Sequence, residues 1–132
     1  AVIVDDDPAI CNALGHLLRQ WGMAVRPFHS LRQLSDKLSI APDVVVADYQ
    51  LAGGETGLTV AHAVHARWGP HVPVVLITGD TRTETIQALK HGGFPVLYKP
   101  VHAGELRALL GALLQDRAVL GASVPATYPS AS

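Results

Sequence analysis

Five apolar runs of strand length alternate with five segments of helical period along this chain, and no other feature constrains its fold as much. Ala1–Asp5 is a short apolar run ending in acid, the pattern of a strand buried on both faces of a parallel sheet. Pro8 suits the first turn of a helix, and Ile10, Leu14, Leu17, Leu18 and Trp21 then recur at spacings of three and four until Gly22 stops the run. Ala24–Phe28 reads as a second strand, followed by a short helix from near Ser30 marked by Leu31, Leu34 and Leu38. Pro42 breaks the chain before a third buried strand, Asp43–Asp48. A Gly-rich loop, Tyr49–Thr56, leads to a helix carrying Val60, Ala61, Val64 and Trp68. Pro73–Thr78 is a fourth strand, Thr81–His91 a helix stopped by Gly92-Gly93, and Phe94–Tyr98 a fifth strand. Leu106, Leu109, Leu110, Leu113 and Leu114 form the clearest helical stripe of all. Such alternation predicts an α/β fold, a parallel sheet covered by helices on both faces through right-handed crossovers.

The chain has 132 residues, which fits one domain, and hydrophobic residues are 48% of it, enough to fill one core. The domain is expected over residues 1–115, with 116–132 as a flexible tail because GASVPATYPSAS is small, polar and Pro-containing. The start on a strand without Met suggests a domain of a longer protein. A formal net charge of -1 gives no electrostatic case for nucleic acid or an anionic membrane as a direct partner. No apolar run approaches the length needed to span a bilayer, and the acid-ended N-terminus is no signal peptide. The single cysteine, Cys11, cannot close an internal disulfide, so a reducing, cytoplasmic setting is expected.

Ligands of open α/β sheets bind outside the carboxyl ends of the strands. Here those ends carry Asp5-Asp6-Asp7, Asp48, Thr78-Gly79-Asp80 and Lys99-Pro100. Carboxylates about 4 Å apart repel by roughly 4 kcal/mol per pair at an effective dielectric near 20. A divalent cation relieves that conflict, and hard oxygen ligands suit Mg²⁺ better than zinc. A metal and Lys99 would neutralise a phosphoryl group, the Thr78 hydroxyl would donate to it, and one carboxylate would be the nucleophile. A lone strand-end Asp is usually a helix cap. The conjunction on consecutive strands is what points to chemistry.

The motifs VIVDDDPAI, VVVADYQL, VVLITGD and LYKPV resemble, in order and spacing, those of response-regulator receiver domains over residues 1–115. The resemblance implies a flavodoxin-like (βα)5 sandwich with strand order 2-1-3-4-5. It implies that Asp48 is the phosphoacceptor, that Asp5 and Asp6 are the acidic pair, and that Asp6 is the direct metal ligand while Asp5 acts partly through water. Gln50 would offer its backbone carbonyl to a Mg²⁺ (or Mn²⁺) ion, Thr78 would be the switch hydroxyl, and Lys99 would pair with the phosphate before a cis Lys99–Pro100 bond. Asp7 is expected to be a cap. The implied partner is a histidine kinase or a histidine phosphotransfer domain, possibly in the same chain, and the domain would promote its own phosphorylation and dephosphorylation. DYQLAGGETGL, LITGDT and FPVLYKPV are further similar to the C-terminal receivers of hybrid sensor histidine kinases.

Ala52, the late Gly57 and Val96 depart from the family pattern. Val96 stands where many members carry the aromatic partner of the switch threonine; Tyr98 would point to the same strand face, where it either substitutes for that partner or packs, packing being the role expected of it. Gln50 and Asp80 would flank the phosphoryl site. The seven histidines, including the His62/His65 pair, show no third ligand, so packing or surface roles are expected.

A small haloacid-dehalogenase-type phosphatase is the main rival, with Asp5 as nucleophile and Asp7, Thr78 and Lys99 in support. Ala9, where that class favours Thr, opposes it. A pseudo-receiver binding module is opposed by the complete acidic set, and flavin binding by the lack of a phosphate loop after the first strand.

Overall fold

Each apolar run forms a strand and each segment of helical period forms a helix. The computed structural model describes residues 1–121, and side-chain burial for residues 1–115. The order is β1 (Val2–Val4), α1 (Pro8–Gln20), β2 (Arg26–Phe28), α2 (Leu31–Lys37), β3 (Val45–Asp48), a 3-10 turn (Ala52–Gly54), α3 (Gly57–Trp68), β4 (Val74–Thr78), α4 (Thr83–Gly92), β5 (Val96–Tyr98) and α5 (Ala103–Gly121). The strands form one parallel sheet in the order 2-1-3-4-5.

Period-two alternation divides the core into two layers. Val2, Val4, Val45, Ala47, Val74 and Leu76 face Leu34 of α2, Val60 and Val64 of α3 and Leu89 of α4. Their neighbours Ile3, Val46, Val75 and Ile77 face Cys11, Leu14 and Leu18 of α1 and Leu106 and Leu110 of α5. The central strands are buried on both faces, which is why they read as continuous apolar runs.

Strands are shorter than the runs that mark them. Pro73 and Pro95 have no N–H for the ladder, so β4 and β5 each begin on the residue after the proline, one and two residues into their runs. Pro27 is tolerated within β2 because β2 is an edge strand. Residues 116–121 continue α5 past the expected domain end at residue 115, since QDRAVL contains no helix breaker before Gly121. The rest of the expected tail, 122–132, lies outside the described residues. α4 begins at Thr83, two residues after the expected Thr81, and α2 ends at Lys37, just before Leu38, while two other end signals act as read. Asp7 caps α1 by accepting the Ala9 N–H, and Gly93 ends α4 in the left-handed conformation at φ 75°.

Candidate functional site

Parallel pairing brings the ends of β1, β3, β4 and β5 to one edge. Among the described residues, Asp5, Asp6 and Asp48 form a group in which one carboxylate oxygen from each lies within 4.8 Å of the other two. Asp5 and Asp48 are 3% and 9% exposed, whereas Asp6 is on the surface. The Lys99 ammonium reaches Asp48 Oδ2 at 3.4 Å, and the Gln50 backbone N–H donates to Asp48 Oδ1 at 3.4 Å. The Lys99–Pro100 peptide is cis.

Three carboxylates against one ammonium leave an excess of negative charge at a half-closed edge. Burial pushes the Asp5 carboxyl above its ordinary range, and the charges of Asp48 and Asp6 push the same way, against the Asp7 N–H and Lys99. Asp5 Oδ1 accepts that Asp7 N–H at 2.9 Å. The donor set is all oxygen and over-charged, which fits a hard divalent cation.

Thr78 is 1% exposed, and its Oγ1 accepts the Asp80 N–H at 3.0 Å. The hydroxyl is therefore held to its own loop. Tyr98 is the register partner of Thr78, while Val96 is opposite Leu76. Val96 packs against the core, but Tyr98 is 45% exposed and does not take the packing role expected for it. His62 meets Phe94 edge-on and His65 meets it at a tilt, with ring centroids 5.6 and 5.2 Å away, and His65 Nε2 lies 2.8 Å from the Val72 carbonyl oxygen. That pair packs.

Three supports were not read from the sequence. The Cys11 thiol donates to the Asp5 carbonyl at 3.2 Å, and His29 Nδ1 lies 3.1 Å from the same oxygen. Burial pushes the Cys11 thiol up to about 11, so it stays protonated as a donor. Gly57 opens α3 so close to β3 that a Cβ there would stand 2.8 Å from the Asp48 carbonyl oxygen and 2.8 Å from Leu76 Cδ2. Its lateness in the loop was legible, but its contact with Asp48 was not. Finally, the Asp80 carboxylate gathers Gln50, Arg82 and Thr85 around it. Only its position beside the site could be read.

Comparison with known proteins agrees with this geometry. The family model described as response regulator receiver domain matches residues 1–111. The transcriptional regulatory protein ZraR of Escherichia coli O157:H7 is 32% identical over 131 residues, covering 98% of this chain and 29% of that protein. The response regulator protein PilR of Pseudomonas aeruginosa is 35% identical over 119 residues, covering 89% of this chain and 26% of PilR. The chain thus spans under a third of these relatives' length. A response regulator receiver domain protein from Clostridium thermocellum superposes with a TM-score of 0.76 at 25% identity, over 90% of this chain and 96% of that one. The chemotaxis protein CheY4 of Vibrio cholerae gives 0.74 at 25% identity, over 85% and 95%. The haloacid-dehalogenase plan also loses its second aspartate, because Asp7 is engaged as the cap of α1. Sequence motifs, sheet order, site geometry and relatives agree: the chain belongs to the receiver domains of two-component response regulators.

Proposed function

We propose that Asp48 accepts a phosphoryl group from the phosphohistidine of a histidine kinase or histidine phosphotransfer domain. The observation that supports this best is the convergence of three carboxylates within 4.8 Å, with the Lys99 ammonium 3.4 Å from Asp48. One Asp48 carboxylate oxygen forms the new O–P bond as the N–P bond of the donor breaks. The donor imidazole keeps the electron pair and takes up a proton. Lys99 pairs with the transferred phosphoryl oxygens. Asp5, Asp6, Asp48 and the Gln50 backbone carbonyl would hold a Mg²⁺ or Mn²⁺ ion. Such an ion, when bound, supplies positive charge to the carboxylates and the phosphoryl oxygens. Thr78 then turns its hydroxyl inward and the β4–α4–β5 surface shifts as a population change between two states.

The test is intact-mass spectrometry of the chain after incubation with acetyl phosphate and Mg²⁺. One phosphoryl adduct per chain is expected, absent in Asp48→Asn and absent with chelator. An adduct of equal yield in Asp48→Asn would contradict the assignment.

Two observations bear on the whole protein. The motif wording favours the C-terminal receiver of a hybrid histidine kinase, while the relatives ZraR and PilR are a transcriptional regulatory protein and a response regulator. Sequencing the flanking reading frame separates the two: a kinase core upstream supports the first, a DNA-binding domain downstream the second. No helix among the described residues is long and apolar enough to cross a membrane, and a cytoplasmic location is part of the proposal.

A further inference from the structure

The most heavily bonded side chain beside the site is Asp80, which the phosphoryl chemistry above does not use. Its side chain is only 7% exposed. Oδ1 accepts the Arg82 backbone N–H at 2.9 Å and Arg82 Nε at 3.0 Å. Oδ2 accepts Arg82 Nη2 at 2.7 Å, Thr85 Oγ1 at 2.8 Å and Gln50 Nε2 at 3.3 Å. Three segments are thereby tied together: the loop after β3, the loop after β4 and the first turn of α4. The same residue's backbone N–H holds Thr78 Oγ1 at 3.0 Å.

We infer that Asp80, clamped by Arg82, is a positioning residue that latches the Thr78 hydroxyl against its own loop, so that the energy of this latch sets how readily the site accepts and keeps a phosphoryl group. The inference rests on the reading of Asp48 and Thr78 given above. Thr78 cannot move toward Asp48 without either losing the Asp80 N–H or drawing the Asp80 peptide with it. The peptide cannot follow while its carboxylate is fixed to α4 and to Gln50. The binding-competent population is therefore reduced, and apparent affinity falls by the same factor. Charge-assisted bonds make this clamp stronger than neutral ones would.

The decisive variant is Arg82→Ala. Arg82 is a surface residue with its side chain 69% exposed, and its removal leaves Thr78, Lys99 and the acidic group in place. Loss of a positive charge near the site would by simple electrostatics weaken binding of an anionic phosphoryl analogue. Release of the latch strengthens it. The two effects have opposite signs, so the direction identifies the cause.

Isothermal titration of the chain with beryllofluoride in saturating Mg²⁺ is the measurement. Arg82→Ala is expected to bind about fivefold more tightly than wild type, the ratio that one net hydrogen bond is worth. Asp80→Ala should do so by at least as much, and Asp80→Asn, which keeps acceptor oxygens, by less. In a Thr78→Ala background the Arg82 effect should vanish, because nothing remains to be held. Unchanged or weaker binding by Arg82→Ala, or an equal gain without Thr78, would overturn the latch. Failure of the wild-type chain to bind, with Asp48→Asn indistinguishable from it, would overturn the reading of Asp48 and the latch with it.

Discussion

The acidic end of the central strands and the α4–β5 side of the sheet are built to different standards of packing. Ile3, Val4, Val46 and Ala47, beside the acidic group, are at most 1% exposed. Val96 and Leu97 in β5 are only half-buried, Tyr98 is exposed, and α4 buries just Thr85 and Leu89. The contrast separates two tasks. Chemistry needs charges held to within fractions of an ångström, and central strands packed on both faces supply that rigidity. A conformational response needs a region whose rearrangement costs little, and an edge strand with a lightly anchored helix supplies that. Thr78 and Asp80 lie at the boundary, at and just past the end of a central strand but beside the less buried edge.

The contrast can be broken most severely from the core. Ile3→Ala should lose about 2–5 kcal/mol of stability, read as a fall in the denaturant midpoint, because a fully buried β1 side chain leaves a cavity that central strands cannot collapse into. Gly57→Ala should lose about 1–3 kcal/mol by pressing a methyl group against the Asp48 carbonyl and Leu76. It should also slow phosphoryl uptake, read as the rate of adduct formation with acetyl phosphate, by displacing the Asp48 backbone.

A third substitution sharpens the electrostatic side. The Asp5 carboxyl is raised by burial, so the folded state binds its proton more tightly than the unfolded chain does. Stability from this group is complete below the ordinary carboxylate range and is lost as pH rises through the raised value. Asp5→Asn should therefore raise the melting temperature of the metal-free protein at neutral pH, with the gain disappearing in acid. Added Mg²⁺ should stabilise wild type more than this variant. The smallest effect is expected at the edge: Tyr98→Ala should change stability by within about 0.5 kcal/mol in a melting experiment, since Tyr98 lies at the surface at 45% exposure.

The sequence carried the architecture because strand-length apolar runs and helical stripes follow directly from burial on two faces or one. Val45–Asp48 and Leu106–Leu110 are legible for that reason. It carried the acidic residues, Thr78 and Lys99 because strand ends of a parallel sheet meet at one edge, whatever the side chains do there. It did not carry contacts between loops. The Asp80–Arg82–Gln50 network depends on how two loops lie against α4. Nor did it carry the Gly57 approach, since a helix-opening glycine has the same spelling whether or not a carbonyl stands 2.8 Å from its missing Cβ. The Tyr98 expectation failed because face alternation gives a direction but not what lies there, and at the last residue of β5 solvent lies there.

The central claim is that Asp48 is the acceptor, and site mapping tests it most directly. The chain would be phosphorylated by a phosphohistidine donor in Mg²⁺, digested under conditions that preserve acyl phosphates, and sequenced by tandem mass spectrometry. The account predicts a single phosphoryl group on Asp48. A phosphoryl group on Asp5 or on a histidine, with Asp48 unmodified, would contradict it.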